Sequence, residues 1–246
     1  EVVFPFQIAP NTGASDAEKV ADILDILSNG TCITDEPWNK ISKNLANLPA
    51  EWDGASIAWS TSDADVIEND GTVHIKERQS GNAKLSAAVT LGDVSESRDF
   101  DFTVLSADTM LREAADAVTY MTLTDEEWQK ITKDLSLPEN GLYDTQITWS
   151  SDCPSLLTDK GYVMEIPDDT AVTLTASFEK AGYTRTKEFP FVLRLSAGKK
   201  IEADIAEINL LVSVDDDFSV PLTGLVYESE ITWSSSSEYL EPDGTM

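Results

Sequence analysis

The sequence predicts a mainly β chain of tandem antiparallel β-sandwiches, each preceded by a short α-helix. Three observations carry that expectation. Ile57-Ala58-Trp59-Ser60-Thr61 returns as Ile147-Thr148-Trp149-Ser150-Ser151 and again as Ile231-Thr232-Trp233-Ser234-Ser235, with the tryptophans 90 and then 84 residues apart. A fixed period of that size marks copies of one small domain, and roughly 90 residues suffice for one antiparallel sandwich. Apolar residues alternate in strand fashion at Leu85, Ala87 and Val89, then at Phe100, Phe102 and Val104; half-buried strands have this period. Ahead of them Val20, Ile23, Leu24 and Leu27 fall on one helical stripe.

In chain order, Ser15-Asp16-Ala17-Glu18 is a capping box that opens the first helix, and Asn29-Gly30 closes it. Thr34 to Ile41 has the pattern of a short helical turn, tolerant of Pro37 near its start. Leu48-Pro49 follows, then a turn at Asp53-Gly54, then a strand with Ile57 and Trp59 on one face. Asn69-Asp70-Gly71 is a tight turn leading into a further strand at Val73.

The second copy keeps this order. Leu111, Ala114, Ala115, Val118 and Met121 form the helical stripe, and Thr124-Asp125-Glu126-Glu127-Trp128 matches the segment at Thr34, again with a capping box. Trp149, the turn at Lys160-Gly161, a strand alternating Val172, Leu174, Ala176 and Phe178, and Phe189-Pro190-Phe191-Val192-Leu193 complete it. The third copy opens on a helix with Ile201, Ile205 and Ile208, reaches Trp233, and aligns Met246 with Val163. Counterparts of the 32 residues 164–195 do not follow in this sequence. Phe4-Pro5-Phe6-Gln7-Ile8 resembles the closing strand Phe189–Leu193, its proline suited to an edge or bulge. The expected organisation is residues 1–10 as the last strand of a preceding repeat, 11–106 as repeat 1, 107–197 as repeat 2 and 198–246 as the first half of repeat 3. Such a chain is a window onto a longer array, or one whose partial copy is completed by strand exchange with another subunit. Glu1 opens it without a signal-peptide pattern, as in a processed chain or a fragment.

Acidic residues number 45 against 17 basic, a formal net charge of −28. That surface repels phosphate backbones and anionic headgroups, which disfavours nucleic-acid and membrane-surface partners, and it favours solubility. Nor does any apolar run approach the roughly 18 residues of a membrane span. Cys32 and Cys153 stand at non-equivalent positions of different copies, so they are expected as free, buried thiols.

Each side chain with chemical potential has a structural explanation. Trp59, Trp149 and Trp233 could stack on sugars, but each follows an inward Ile by two residues and is expected in the core. Trp38 and Trp128 are expected to clamp the helical turn onto the sandwich, and Trp52 to be a larger core residue where the other copies carry Leu142 and Val226. His74 is the only histidine. It is expected at the surface, since a lone His makes neither a Ser/His/Asp triad nor a usual zinc site. Asp63 with Asp65, Asp168-Asp169 and Asp215-Asp216-Asp217 could offer oxygen ligands to calcium, yet none has an EF-hand pattern or recurs between copies. No catalytic, cofactor-binding or metal-binding residue and no cofactor is expected.

The ordered set of helix, Leu-Pro, Ile-x-Trp-Ser-Ser, Asp-Gly-x-Val (Asp70-Gly71-Thr72-Val73) and Phe-x-Phe-x-Val resembles the bacterial immunoglobulin-like family, in particular its atrophied branch. The resemblance covers residues 11–106 and 107–197 nearly whole, and departs from the plainest pattern at Trp38 and Trp128. It implies non-catalytic tandem modules of secreted or cell-surface bacterial proteins, often beside glycan-degrading or adhesive domains. The expected role is a structural spacer in an extracellular surface protein or filament, its partners the neighbouring repeats. A glycan- or host-protein-binding module, or an accessory segment of a secreted glycan-degrading enzyme, is the alternative.

Overall fold

The computed structural model describes residues 13–30, 32–46, 48–166, 168–195, 197–209 and 216–245. The strand expected at residues 1–10 lies outside the described residues, as do Asp215 and Met246. The contacts divide the chain into two compact units, one made of residues up to 119 with 138–148 and 176–187, the other of 120–137, 149–175 and residues from 188 on.

In the first copy, α1 (Asp16–Ser28) forms because its caps are supplied by its own sequence. Ser15 Oγ accepts the Glu18 amide at 3.3 Å and the Glu18 carboxylate accepts the Ser15 amide at 2.8 Å. Two of the four orphan donors of the helix start are thereby satisfied, and the acidic first turn favours the positive end of the helix. The helix stops at Asn29, followed by Gly30 with φ +78°.

Four strands form one antiparallel sheet in sequence order: β1 (Glu51–Trp52), β2 (Ala55–Thr61), β3 (Gly81–Leu91) and β4 (Val94–Val104). The register sets Ile57 opposite Val89 and Leu85 opposite Phe100. One face, with Leu85, Ala87, Val89, Phe100 and Phe102, is therefore buried, as the alternation predicts. The opposing layer is α1, with Val20, Ile23, Leu24 and Leu27 turned inward, and irregular segments that contribute Ile33, Ile41, Leu45, Val66 and Ile67. Each such side chain stabilises by about 1.5–3 kcal/mol when fully buried. In that layer strand pairing is reduced to isolated bridges, Ile41 with Val104 and Ile67 with Val73. The strand expected after Gly71 is accordingly absent, since Val73 makes one bridge and no ladder.

The second copy has the three-stranded sheet β5 (Gln146–Ser151), β6 (Thr170–Lys180) and β7 (Tyr183–Leu193), with Val172, Leu174, Ala176, Phe178, Phe189 and Phe191 buried. Its helix α2 (Ala107–Ala117) is shorter than expected. Val118 turns extended, and a separate turn α3 (Tyr120–Leu123) leaves Met121 91% exposed and off the stripe. The β-branched pair Val118-Thr119, which loses side-chain freedom in a helix, accounts for the early stop.

Neither Thr34–Ile41 nor Thr124–Ile131 is helical. The expected capping box at Thr124 is replaced by another use of the same residues. Thr34 and Thr124 hydroxyls accept the amides of Glu36 and Glu126, two residues on, at 3.1 and 3.0 Å. The Glu36 carboxylate takes the Ser42 amide and hydroxyl, and Glu126 takes the amide and hydroxyl of Thr132 and the Lys133 amide. Side chains thus satisfy donors that a helix would have satisfied along the backbone.

In the third copy α4 (Ala197–Ala206) is present, but Ile201 and Ile205 are 47% and 59% exposed and its buried residue is Asp204. In the first copy the equivalent stripe packs on β3 and β4. Counted from the helix starts, Asp204 stands where the other copies have Ile23 and Ala114. Its carboxylate accepts the amides of Val226, Tyr227 and Ser229 at 2.8–3.0 Å, and the Ser229 hydroxyl and these amides hold its pKa far below the ordinary carboxylate value. A polar tie thereby replaces the apolar contact.

Candidate functional site

The three recurrent tryptophans are half-buried and act in the fold. Trp59 Nε1 donates to the Pro49 carbonyl at 2.9 Å and Trp233 Nε1 to the Pro221 carbonyl at 2.6 Å, and the Trp59 and Trp149 rings pack on Phe100 and Phe189. Trp52 is half-buried against the first core, whereas Leu142 and Val226 at its position are 49% and 52% exposed. His74 is exposed, with Nε2 2.7 Å from Glu68. The acidic pairs serve turns and ion pairs. Asp63 accepts the Asp65 amide, Asp216 accepts the Asp217 amide, and Asp169 binds Arg194, Lys200 and the Leu195 amide. Burial acts to raise the Asp169 pKa, and these partners outweigh it to bring the value below the ordinary one. Among the described residues no group of three or more His, Cys, Asp and Glu side chains comes together as a metal site. Cys32 and Cys153 are free and half-buried rather than fully buried; partial burial pushes the Cys32 thiol up.

The second expected clamp is where the copies part. In the first copy Trp38 lies edge-on to Phe100, with ring centroids 5.6 Å apart, and tilted on Phe102 at 5.3 Å. Gly30 makes that possible, because a Cβ there would sit 2.7 Å from Trp38 Nε1. Beside Trp38 and Gly30 runs an open groove of about 640 Å³, with Asn29, Asp35 and Glu36 on its walls.

The residue aligned with Gly30 is Tyr120. Its ring meets Phe189 and Phe191 edge-on, at 5.5 and 5.4 Å, where the first copy has its tryptophan. Tyr120 Oη donates to the Pro190 carbonyl at 3.3 Å, and burial raises its pKa. Trp128 is displaced outward, stacked on Tyr120 with centroids 5.9 Å apart and planes at 30°, and it is 41% exposed. The expectation that Trp128 clamps the sandwich is therefore corrected: Tyr120 does so. The helical spacing of Val118 and Met121 conceals Tyr120 in the sequence; its position eight residues before Trp128, where Gly30 precedes Trp38, is the signal that finds it.

Trp128 is nonetheless firmly placed. Its carbonyl accepts the Val192 amide at 2.9 Å, the Ile131 amide donates to the Val192 carbonyl at 3.0 Å, and Arg194 Nε donates to the Gln129 carbonyl at 3.2 Å. The charges around it are paired, Lys130 with Glu127 at 2.9 Å and Lys133 with Asp125 at 3.6 Å.

Comparison with known proteins gives one family. The family model described as the atrophied bacterial Ig domain matches residues 20–107 and again 111–195. No curated protein matches the chain. Among solved structures, the crystal structure of mouse protocadherin-24 EC1-3 is 12% identical with a TM-score of 0.19, the match covering 57% of this chain and 58% of that one. With its antiparallel sheets, its reduced second layer and two successive family matches, the chain belongs to the atrophied bacterial Ig domain family.

Proposed function

We propose that this chain is a structural spacer, a non-catalytic segment of an extracellular bacterial multidomain surface protein or filament. Family membership supports a structural domain of a multidomain protein, and among the described residues no helix is long and apolar enough to cross a membrane. The observation that carries the spacer role is the way the first copy passes into the second without a free linker. Val104 ends β4, and Ser106, fully buried, caps α2 by accepting the Thr109 amide. The Ser106 amide donates to Ser80 Oγ, and the Ala107 and Asp108 amides donate to the Lys76 and Glu77 carbonyls at 2.9 and 2.8 Å. Lys40 of the first copy pairs with Glu113 of the second at 3.6 Å, and Glu113 also accepts the Tyr143 hydroxyl. A backbone fastened on both sides of the boundary transmits position and force, as a flexible tether would not.

Small-angle scattering from the 246-residue chain tests this. Inserting a flexible Gly-Ser segment between Leu105 and Ser106 is expected to broaden the distribution of interatomic distances. A distribution that the insertion leaves unchanged would show that the joint was already loose, and would remove the support for a spacer.

A further inference from the structure

The outward tryptophan of the second copy is costly for a protein that needs only a spacer. The sandwich has a place for it: in the first copy the same residue type lies over two phenylalanines. In the second that place is filled by Tyr120, and the indole is turned outward, on a segment bonded twice to Val192 of β7 and once to Arg194 just after it. The ring stacks on Tyr120, with planes at 30°, and the residue is 41% exposed. An apolar plane fixed in advance at the surface, with polar groups at its margin, is the arrangement of a small-ligand platform.

The chemistry of the ligand follows from the surroundings. The two lysines next to Trp128 are already paired with Glu127 and Asp125, and the remaining carboxylate, Glu126, is taken up by the Thr132 amide and hydroxyl and the Lys133 amide. The chain as a whole, at −28, repels anions. The exposed apolar group is a single indole, and a whole Trp side chain offers at most about 250 Å², far below the roughly 1,200 Å² that a stable protein interface buries. A neutral sugar ring suits each of these facts, since its C–H face packs on an aromatic plane while its hydroxyls bond to paired carboxylates, ammonium groups and the Gln129 amide.

We infer that Trp128, backed by Tyr120, is a binding platform for a neutral pyranose unit of an oligosaccharide, present in the second copy and lacking in the first. The test titrates the 246-residue chain with millimolar cellohexaose, xylohexaose, mannohexaose and laminarihexaose, following the indole N–H signals by NMR. At least one of these is expected to shift the Trp128 signal in a saturable manner and to leave that of Trp38 in place. Trp128→Ala is expected to weaken binding about tenfold or more (about 1.4 kcal/mol per tenfold). Trp128→Tyr, which keeps an aromatic plane, is expected to retain most of it. Thermal unfolding of each variant separates lost binding from lost fold. The inference is overturned if none of the four sugars moves the Trp128 signal, if binding survives Trp128→Ala, or if a cationic tripeptide such as Lys-Lys-Lys binds at Trp128 in place of the sugars.

Discussion

Over Phe100 and Phe102 the first copy lays Trp38; over Phe189 and Phe191 the second lays Tyr120 and turns its own tryptophan outward. The two tryptophans occupy the same place in the repeat and are followed two and three residues later by a lysine and an isoleucine in both copies. What separates them is a residue eight positions earlier, glycine in one copy and tyrosine in the other. Repetition of a residue in sequence therefore does not guarantee repetition of its role. The space for a large side chain is set by its neighbours in the packed layer, and that space changes hands.

The largest effect that could break this comparison comes from removing each indole. Trp38→Ala is expected to cost roughly 2–4 kcal/mol, a discount for its partial exposure from the range for fully buried aromatics, and Trp128→Ala under about 1 kcal/mol. Denaturant unfolding, with amide exchange read separately on β3–β4 and β6–β7, reports each copy. Equal losses at the two positions would mean that Trp128 bears on the core after all.

Gly30→Ala sharpens the contrast from the other side. The glycine has φ +78°, and the new Cβ would lie 2.7 Å from Trp38 Nε1. Left-handed backbone and crowding together are expected to cost about 2–3 kcal/mol, with amide exchange in the first copy as the readout. A neutral substitution would show that Trp38 can shift without loss, and that glycine does not decide where the tryptophan goes.

Much of this fold is legible in the sequence, for physical reasons. Alternation at Leu85–Val89 and Phe100–Val104 fixes which face is buried, because the side-chain period of a strand is two. Ser15 and Glu18 announce the helix start, since capping is a local matter. The recurrence of a proline ahead of the tryptophan (Leu48-Pro49, Leu137-Pro138, Val220-Pro221) has its explanation in the indole N–H that donates to the proline carbonyl in the first and third copies. The failures occur where a local pattern has two outcomes. Thr124-Asp125-Glu126-Glu127 is a capping box on paper, yet Glu126 is drawn to the donors at Thr132 and Lys133, and the turn closes without a helix. The helical spacing of Ile201 and Ile205 is equally real, and says nothing about what lies opposite them. Trp128 as a platform was hidden for the same reason, because its exposure depends on Tyr120 and not on its own neighbours in sequence.

A smaller effect concerns how the leading helix is tied to the last strand. Arg98 Nη1 donates to Asp25 and to Ser28 Oγ, both at 2.7 Å, whereas Lys187, aligned with it, donates to the Ala115 and Val118 carbonyls at 2.8 and 2.7 Å. Either cation lies at a helix C-terminus, where the partial negative charge favours it by about 0.3–1 kcal/mol at low ionic strength. Arg98→Met and Lys187→Met are each expected to lose about that amount, with a smaller loss in high salt. A loss that persists in full at high salt would assign the effect to packing of the aliphatic stem.

The smallest expected effect is a pH dependence located in the second copy. Glu36 holds two donors of Ser42, while Glu126 holds three, from Thr132 and Lys133. Burial acts to raise the Glu126 pKa, but the bonds from Thr132 and Lys133 outweigh it and bring the value below the ordinary glutamate range. Because the folded value is the lower one, the folded state favours the carboxylate. Its stabilisation is complete above the unfolded value of about 4.3 and is lost as pH falls through the folded value. Glu126→Gln removes the titration along with the charge. The variant is expected to be less stable than the parent near neutrality, and the difference is expected to shrink as acid protonates Glu126 in the parent. Urea unfolding read on β6–β7 amides at a series of pH values measures that convergence. Parallel curves down to the lowest pH would mean that the three donors hold the turn without regard to charge, leaving the two copies alike in acid as well as in fold.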